Sequence, residues 1–549
     1  MLALGLWGLD RGGMWGDEGV TFLVGRRTVP QIWHLLHGVD AVHGLYYLLM
    51  HAVLAVHPGE VTLRLPSVCG AAATAALVAA LGVRLARPRV GLWAGLLYAI
   101  TPLTGHYAQE GRSYAIVAAG VAGATLLLVR ALEGRPWWPY GAVLAVTFLL
   151  HEFAVLVLCA HALTLLAARV PRPVWAGWGR AAGVAVGILL PLAWVSQRQS
   201  AQVAWLRVPD RDTAERLARG FLAVTPTGVV FWTSVLLILL GLGAGRLASV
   251  ALPLLVVPPV ILLTVSQFRP LFHERYVLYA LTGAPLLVAA GADWLVGMVG
   301  RLWLDGHRRP SGRHTDIARV VAGAEHRPRL VGALAASGHH PVAATRPPLT
   351  GTDRTTGAAS PPSRPPKRPA RTHLVTLAGV LALAVPFLHG LPAYRNDRLA
   401  AHRPENLAQV SALAGRELRP GDPVLFLPSF WRVTELAYPG PFAGVRDLAL
   451  AESGARTGTL SGREVAPAEL EARLAGVDRV WIVAQSNLLP SRWVPGDPVD
   501  RVKLGVVDGE FARRRQYVSG RVKLALYIRR TPPQDMVTPA PALPSPAPR

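Results

Sequence analysis

Apolar runs close to the thickness of a bilayer recur along this chain, and they leave few folds open to it. They fall at about 62–84, 91–107, 113–130, 138–151, 153–168, 181–196, 221–244, 247–265, 277–300 and 374–392. In hydrocarbon no water can pair the backbone N–H and C=O groups, so a run of about 20 apolar residues crosses as a helix. Only 16% of the 549 residues are charged, where ordinary soluble domains carry about 25%. The chain therefore reads as a polytopic α-helical membrane protein with about 11 transmembrane helices. Its net charge of +23 would suggest nucleic acid in a soluble protein. Here the arginines sit in short loops between the apolar runs and in one long insert, the marking of cytoplasmic loops, and no nucleic-acid partner is expected. Cys69 and Cys159 both lie inside apolar runs, so neither a disulfide framework nor a thiolate metal site is expected. Met1 to Leu9 is apolar but lacks a basic n-region and a cleavage site, which predicts a clipped first helix rather than a signal peptide.

The arginines fix a parity. Arg84, Arg87 and Arg89, then Arg130 and Arg135, Arg169, Arg172 and Arg180, Arg246, and the insert after Arg301 fall at alternate ends of the runs. All of them are cytoplasmic together only if residues 44–58 do not cross, and that short run with its histidines and paired tyrosines suits a helix lying in the interface. The opposite ends, 10–61, 107–112, His151-Glu152, 197–220 and 268–276, then face outward. The resulting organisation is a transmembrane core at 1–300, a disordered basic cytoplasmic loop at 301–373, a last transmembrane helix at 374–392, an extracytoplasmic α/β domain at 393–532 and a disordered tail at 533–549. Pro423 to Pro428, Arg479 to Ala484 and Val522 to Ile528 are expected to be buried strands.

Four polar clusters fall on the outward side. Asp17-Glu18 follows Trp15 and sits among glycines, which suits either a site or a solvated turn. His106 to Tyr114 includes Glu110 and Arg112, His151-Glu152 interrupts a long apolar stretch, and Phe268 to Tyr276 includes Arg275. Arg64, His43 and Tyr46-Tyr47 lie beside them. Arginines at the outer interface suit bidentate binding of a phosphate, a carboxylate suits deprotonation of an acceptor hydroxyl, and tyrosines at headgroup depth suit orientation of a lipid. Each signal also has a plainer reading. Single arginines at helix ends are commonly snorkelling anchors, His151-Glu152 suits a polar pair satisfied inside the bundle, and Glu110 suits an ion pair with Arg112 or Arg275. His34, His37 and His43 match no strong metal motif. Convergence of the clusters on one face favours a site.

Trp15-Gly-Asp17-Glu18, His43-Gly-Leu-Tyr46-Tyr47 and Leu63-Arg64-Leu65-Pro66-Ser67, taken in that order, resemble the N-terminal part of GT-C glycosyltransferases. The branch most alike is glycosyltransferase family 39 with the RgtA/B/C/D-like enzymes, which include protein mannosyltransferases and the lipid A aminoarabinose transferase. Tyr107 to Tyr114 and His273-Glu-Arg275-Tyr276 are similar to that family's second motif and its Arg-Tyr motif, so the resemblance covers about 1–300 and the last helix. It implies a GT-C fold and an inverting transfer of a sugar, mannose by preference, from a polyprenyl-phosphate donor to a protein, glycolipid or polysaccharide acceptor outside the membrane. It further implies Asp17 as general base with Glu18 supporting it, and His43, Tyr46, Arg64, Glu110, Arg112, Tyr114, Arg275 and Tyr276 around the donor phosphate and sugar. No cofactor is implied, and a divalent metal is left open. The sequence departs from relatives at Gly44, where proline is common, and in its long basic insert. Two other classes remain to be weighed, a transporter or flippase of lipid-linked sugars and a structural cell-envelope protein using residues 393–532 to bind partners.

Overall fold

A computed structural model of the chain describes residues 1–222, 228–307, 370–399, 405–488 and 494–530. The membrane part begins with short helices: α1 (Leu2–Leu6), α2 (Gly16–Gly25), α3 (Val29–Gly38) and α4 (Gly44–Val56). Then come α5 (Glu60–Leu85), α6 (Pro88–Ala99), α7 (Pro102–Ala108), α8 (Tyr114–Leu132), α9 (Trp138–Leu150), α10 (Val157–Ala167), α11 (Arg172–Arg198), α12 (Arg211–Leu222), α13 (Gly228–Gly241) and α14 (Arg246–Val265). A 3-10 stretch, Glu274–Thr282, leads into α15 (Gly283–His307), and α16 spans Ala370–Asn396. Among the described residues, six helices are long and apolar enough to cross a membrane: Glu60–Leu85, Tyr114–Leu132, Arg172–Arg198, Arg246–Val265, Glu274–Val299 and Leu374–Asn396.

Proline and polar chemistry shift several expected boundaries. The run at 91–107 is two helices rather than one, because Pro102 starts α7 and cannot continue α6. The run at 221–244 belongs to two helices, α12 and α13, on either side of 223–227. The acidic stretch is not a loop, since Asp17 and Glu18 lie in the first turn of α2, where carboxylates meet the positive end of the helix dipole. Of the expected cytoplasmic loop at 301–373, α15 takes the start and α16 the end, and 308–369 lie outside the described residues, as does the tail at 533–549. The 13 residues of α4 extend about 20 Å, short of the roughly 30 Å of a hydrocarbon core. The helices pack closely where side chains are small. A Cβ on Gly70 of α5 would stand 2.9 Å from the Ala115 carbonyl carbon of α8, the kind of backbone approach that binds helices in lipid.

The C-terminal residues build a sheet from β1 (Pro423–Leu427), β2 (Arg446–Asp447), β5 (Arg479–Gln485), β6 (Phe511–Ser519) and β7 (Val522–Arg529), with a separate pair, β3 (Leu450–Glu452) and β4 (Arg463–Glu464). The order is β2-β1-β5-β7-β6, parallel from β2 to β5 and antiparallel through β7 and β6. Strands β1 and β5 are near-continuous apolar runs because both their faces are covered. Helices α17 (Leu407–Glu417), α18 (Val433–Ala437), α19 (Gly454–Thr457), α20 (Pro467–Ala475) and α21 (Pro498–Glu510) complete this part. Leu470, Leu474 and Val507 pack with Leu425, Ile482 and Phe511 in its core.

Candidate active site

The polar residues sort to opposite ends of the helix bundle. At the end where α5 stops, Arg84 and Arg246 both pair with Glu133, and Arg87 and Arg89 pair with Asp293. At the end where α5 starts, the acidic turn, the 109–114 turn and the 273–276 stretch come together.

Asp17 and Glu18, neighbours in sequence, point to different partners, because consecutive helical residues are about 100° apart around the axis. Glu18 is fully buried and accepts two parallel hydrogen bonds from Arg64 at 2.8 Å each, plus one from the backbone N–H of Gly111. The remaining Arg64 N–H groups donate to the carbonyls of Leu9, Arg11 and Gly13. Arg64 was expected on the donor phosphate. All five of its donors are instead committed inside the protein, so its visible task is to tie the acidic turn to α5.

Asp17 is part-exposed, and its Oδ2 accepts from Arg275 Nη1 at 2.9 Å. The Arg275 guanidinium lies 5.6 Å from the Trp15 ring, 5.5 Å from Tyr114 and 5.7 Å from Tyr276, an aromatic cage suited to a cation. Arg112 is buried, donating to Thr21 Oγ1 at 3.2 Å and lying 2.6 Å from His43 Nε2. Tyr46 and Glu110 are buried nearby, and desolvation raises the Glu110 pKa above that of an ordinary glutamate.

Buried polar atoms without partners are uncommon in folded proteins. Among the described residues, most of them gather in one cluster: Arg275 Nε, Arg112 Nε, His43 Nδ1, Tyr46 Oη, Glu110 Oε1, Ser113 Oγ and His151 Nδ1 have no hydrogen-bond partner there, and the rest are on Arg27, Thr104, Thr434 and Glu435. Donors dominate that set. It suits an anionic group carrying several oxygens.

The structure adds residues to the site and gives new partners to one that the sequence singles out. His151 is not a pair satisfied inside the bundle with Glu152, which accepts from Ser196 instead. The His151 ring stands 5.5 Å from Tyr114 and 5.0 Å from Tyr276, and Phe153 stacks on Tyr276 at 5.5 Å. Asp40, in a left-handed conformation just before His43, accepts from Tyr47 Oη at 2.7 Å. Burial raises its pKa, against the pull of the nearby Arg112. Glu405 reaches the start of α2 from the C-terminal part and accepts from the Gly16 N–H at 3.1 Å. The His151 cluster was visible in the sequence, whereas nothing in the local pattern marked Asp40 or Glu405. Ser200, Val203, Leu206 and Arg269 help line a cavity of about 300 Å³.

Comparison with known proteins finds similarity in one family model and in solved structures. Residues 43–196, which carry His43, Tyr46, Arg64, Glu110, Arg112 and Tyr114, match the family model described as dolichyl-phosphate-mannose-protein mannosyltransferase. The crystal structure of ArnT from Cupriavidus metallidurans in the apo state matches with a TM-score of 0.54 at 13% identity, covering 96% of each chain. The same protein bound to undecaprenyl phosphate gives a TM-score of 0.51, again at 13% identity and 96% of each chain. The chain has the GT-C fold. No curated protein sequence matches it.

Proposed function

We propose that the chain is a membrane glycosyltransferase that moves a sugar from a polyprenyl-phosphate donor to an acceptor hydroxyl, with inversion, and with Asp17 as general base. The observation that carries the reading is the Asp17–Arg275 pair, set beside buried guanidinium, imidazole and hydroxyl atoms that lack partners. Asp17 takes the proton of the acceptor hydroxyl as its oxygen attacks the anomeric carbon. The sugar–phosphate bond breaks on the opposite face, and the electron pair leaves with the polyprenyl phosphate. Arg112 and Arg275 meet that charge, with His43 and Tyr46 beside them and Tyr114 and Tyr276 walling the site. Glu18 and Arg64 hold the turn that presents Asp17. The family match at 43–196 supports a mannose donor as the first to test, and the solved relative bound to undecaprenyl phosphate supports the lipid.

In this reading about 11 helices cross the membrane, the site opens on the extracytoplasmic face by the arginine parity, and the C-terminal sheet lies on that side. A flippase of lipid-linked sugars would carry its polar groups near the midplane, on broken helices. Here Asp17 opens α2, Tyr114 opens α8 and His151 closes α9, which favours chemistry at the membrane surface. The test incubates membranes with radiolabelled polyprenyl-phosphate sugars and follows the label. Transfer to an acceptor is expected from the parent protein. Asp17→Asn should lower it by about 10²–10⁴-fold at unchanged expression. Full activity in that variant removes the base assignment, and label that crosses the membrane without changing hands favours the flippase.

A further inference from the structure

The first turn of a helix leaves N–H groups without partners inside the helix, and a side chain at the N-cap usually accepts from one of them. At α2 the N-cap is Trp15, which makes no side-chain cap. The acceptor comes instead from the far end of the chain. Glu405 Oε2 takes the Gly16 N–H at 3.1 Å, across 389 positions of sequence. The backbone of Glu405 is itself bridged to Gly520, at the β6–β7 turn, and its side chain is 14% exposed.

This contact is the end of a longer seam. The Leu407 N–H donates to the Met14 carbonyl at 3.0 Å. Three glycines of the acidic stretch make room for residues 405–408. A Cβ on Gly13 would stand 2.7 Å from Ala408, one on Gly16 2.6 Å from Glu405 Oε2, and one on Gly19 2.8 Å from Leu407. Real Cβ atoms do not approach so closely in a packed interior, so these glycines form the floor of a groove, and Gly13 is a turn residue as well, at φ +36°. Phe430 closes it over Gly16. Asp17 is the next residue in that turn, with a side chain directed to Arg275.

We propose that Glu405 is a positioning residue for Asp17. Its carboxylate caps α2 in trans, holds the first turn closed, and so fixes the direction from which the Asp17 carboxylate meets the acceptor hydroxyl. The inference rests on Asp17 being the base. It assigns the C-terminal part a task in the reaction itself, because a helix start that frays displaces a base from its hydroxyl while leaving the phosphate-binding arginines in place.

The test uses the full chain in nanodiscs, comparing the parent with Glu405→Ala and Glu405→Gln by amide hydrogen exchange of peptides covering residues 14–21 and by transfer kinetics. Glutamine keeps an oxygen that can accept from Gly16, whereas alanine does not. Glu405→Ala is expected to speed exchange in the first turn of α2 by about tenfold and to lower kcat by a similar factor, with the donor KM within about twofold, the pattern of an interaction that matters in the transition state. Glu405→Gln should restore exchange and bring kcat to within about threefold of the parent. Parent-like exchange in Glu405→Ala overturns the anchor. Faster exchange with parent-like kcat overturns its consequence for catalysis, and a loss confined to KM does the same. If the parent transfers no sugar, the glycosyltransferase reading fails, and exchange alone still decides whether Glu405 holds the turn. If Glu405→Ala is too unstable to assay, Glu405→Asp replaces it, because its carboxylate is one methylene shorter, and parent-like exchange there overturns the anchor.

Discussion

Arg64 shows how much one side chain decides in the acidic turn. Its five N–H groups reach both oxygens of Glu18 and the carbonyls of Leu9, Arg11 and Gly13, with the pair fully buried. Removing one partner of such a pair leaves an uncompensated buried charge, which costs about 3–5 kcal/mol. Arg64→Ala and Glu18→Ala should each lower stability by that order, and Arg64→Lys should lose much of it too, because an ammonium cannot serve five acceptors in a planar fork. Chemical denaturation in detergent checks this, with Asp17→Asn as the contrast. Asp17 makes one part-exposed ion pair, so its substitution should leave stability within about 1 kcal/mol. The sequence puts Asp17, Glu18 and Arg64 on one side of the membrane, and only the family resemblance, not the residues themselves, divides the two acids into a base and its support. That division depends on helical phase and on where each donor ends, and neither can be read from an adjacent pair of letters.

The elements were legible in proportion to how local their causes are. Apolar length marks α5, α8, α11, α14 and α16, and Pro102 explains the break between α6 and α7. Strands β1, β5 and β7 stand where the apolar-rich segments predict them. What escaped is whatever depends on a partner far along the chain. The start of α2 looks like a glycine turn until residues 405–408 are laid against it. The same geometry makes a prediction. Gly16→Ala and Gly19→Ala put a methyl group into occupied space, and overpacking of this kind costs about 1–3 kcal/mol. Gly187, in the middle of α11, has nothing among the described residues within 4 Å of a Cβ position, and alanine there should be neutral or stabilising by up to about 1 kcal/mol. Melting curves of the three variants in one detergent check the contrast. Equal losses at all three positions would remove the groove from the explanation.

The membrane part and the C-terminal part hold each other at several points besides Glu405. Tyr438 takes the Met14 N–H at 2.8 Å and donates to Glu60, while Arg27 donates to the carbonyls of Thr459 and Leu460. Helix α18 lies against α2, with Val433 over Gly19. On α18, Glu435 Oε2 is buried and has no hydrogen-bond partner among the described residues. Burial, with a smaller push from the Asp447 charge and against the pull of Arg432, raises the Glu435 pKa to about 7. The native state therefore holds this proton across a range where the unfolded chain has released it, and stability falls as pH rises when the native state binds more protons. The stabilisation is complete below the ordinary carboxyl range and is lost as pH rises through about 7. As the charge appears, its cost falls inside the C-terminal part, beside Asp447. The apparent melting temperature of the parent should fall between about pH 5 and 7 and level off above that, and Glu435→Gln, which carries no titrating proton, should flatten that slope. An unchanged slope in the variant assigns the pH dependence to other groups and leaves Glu435 charged in the native protein.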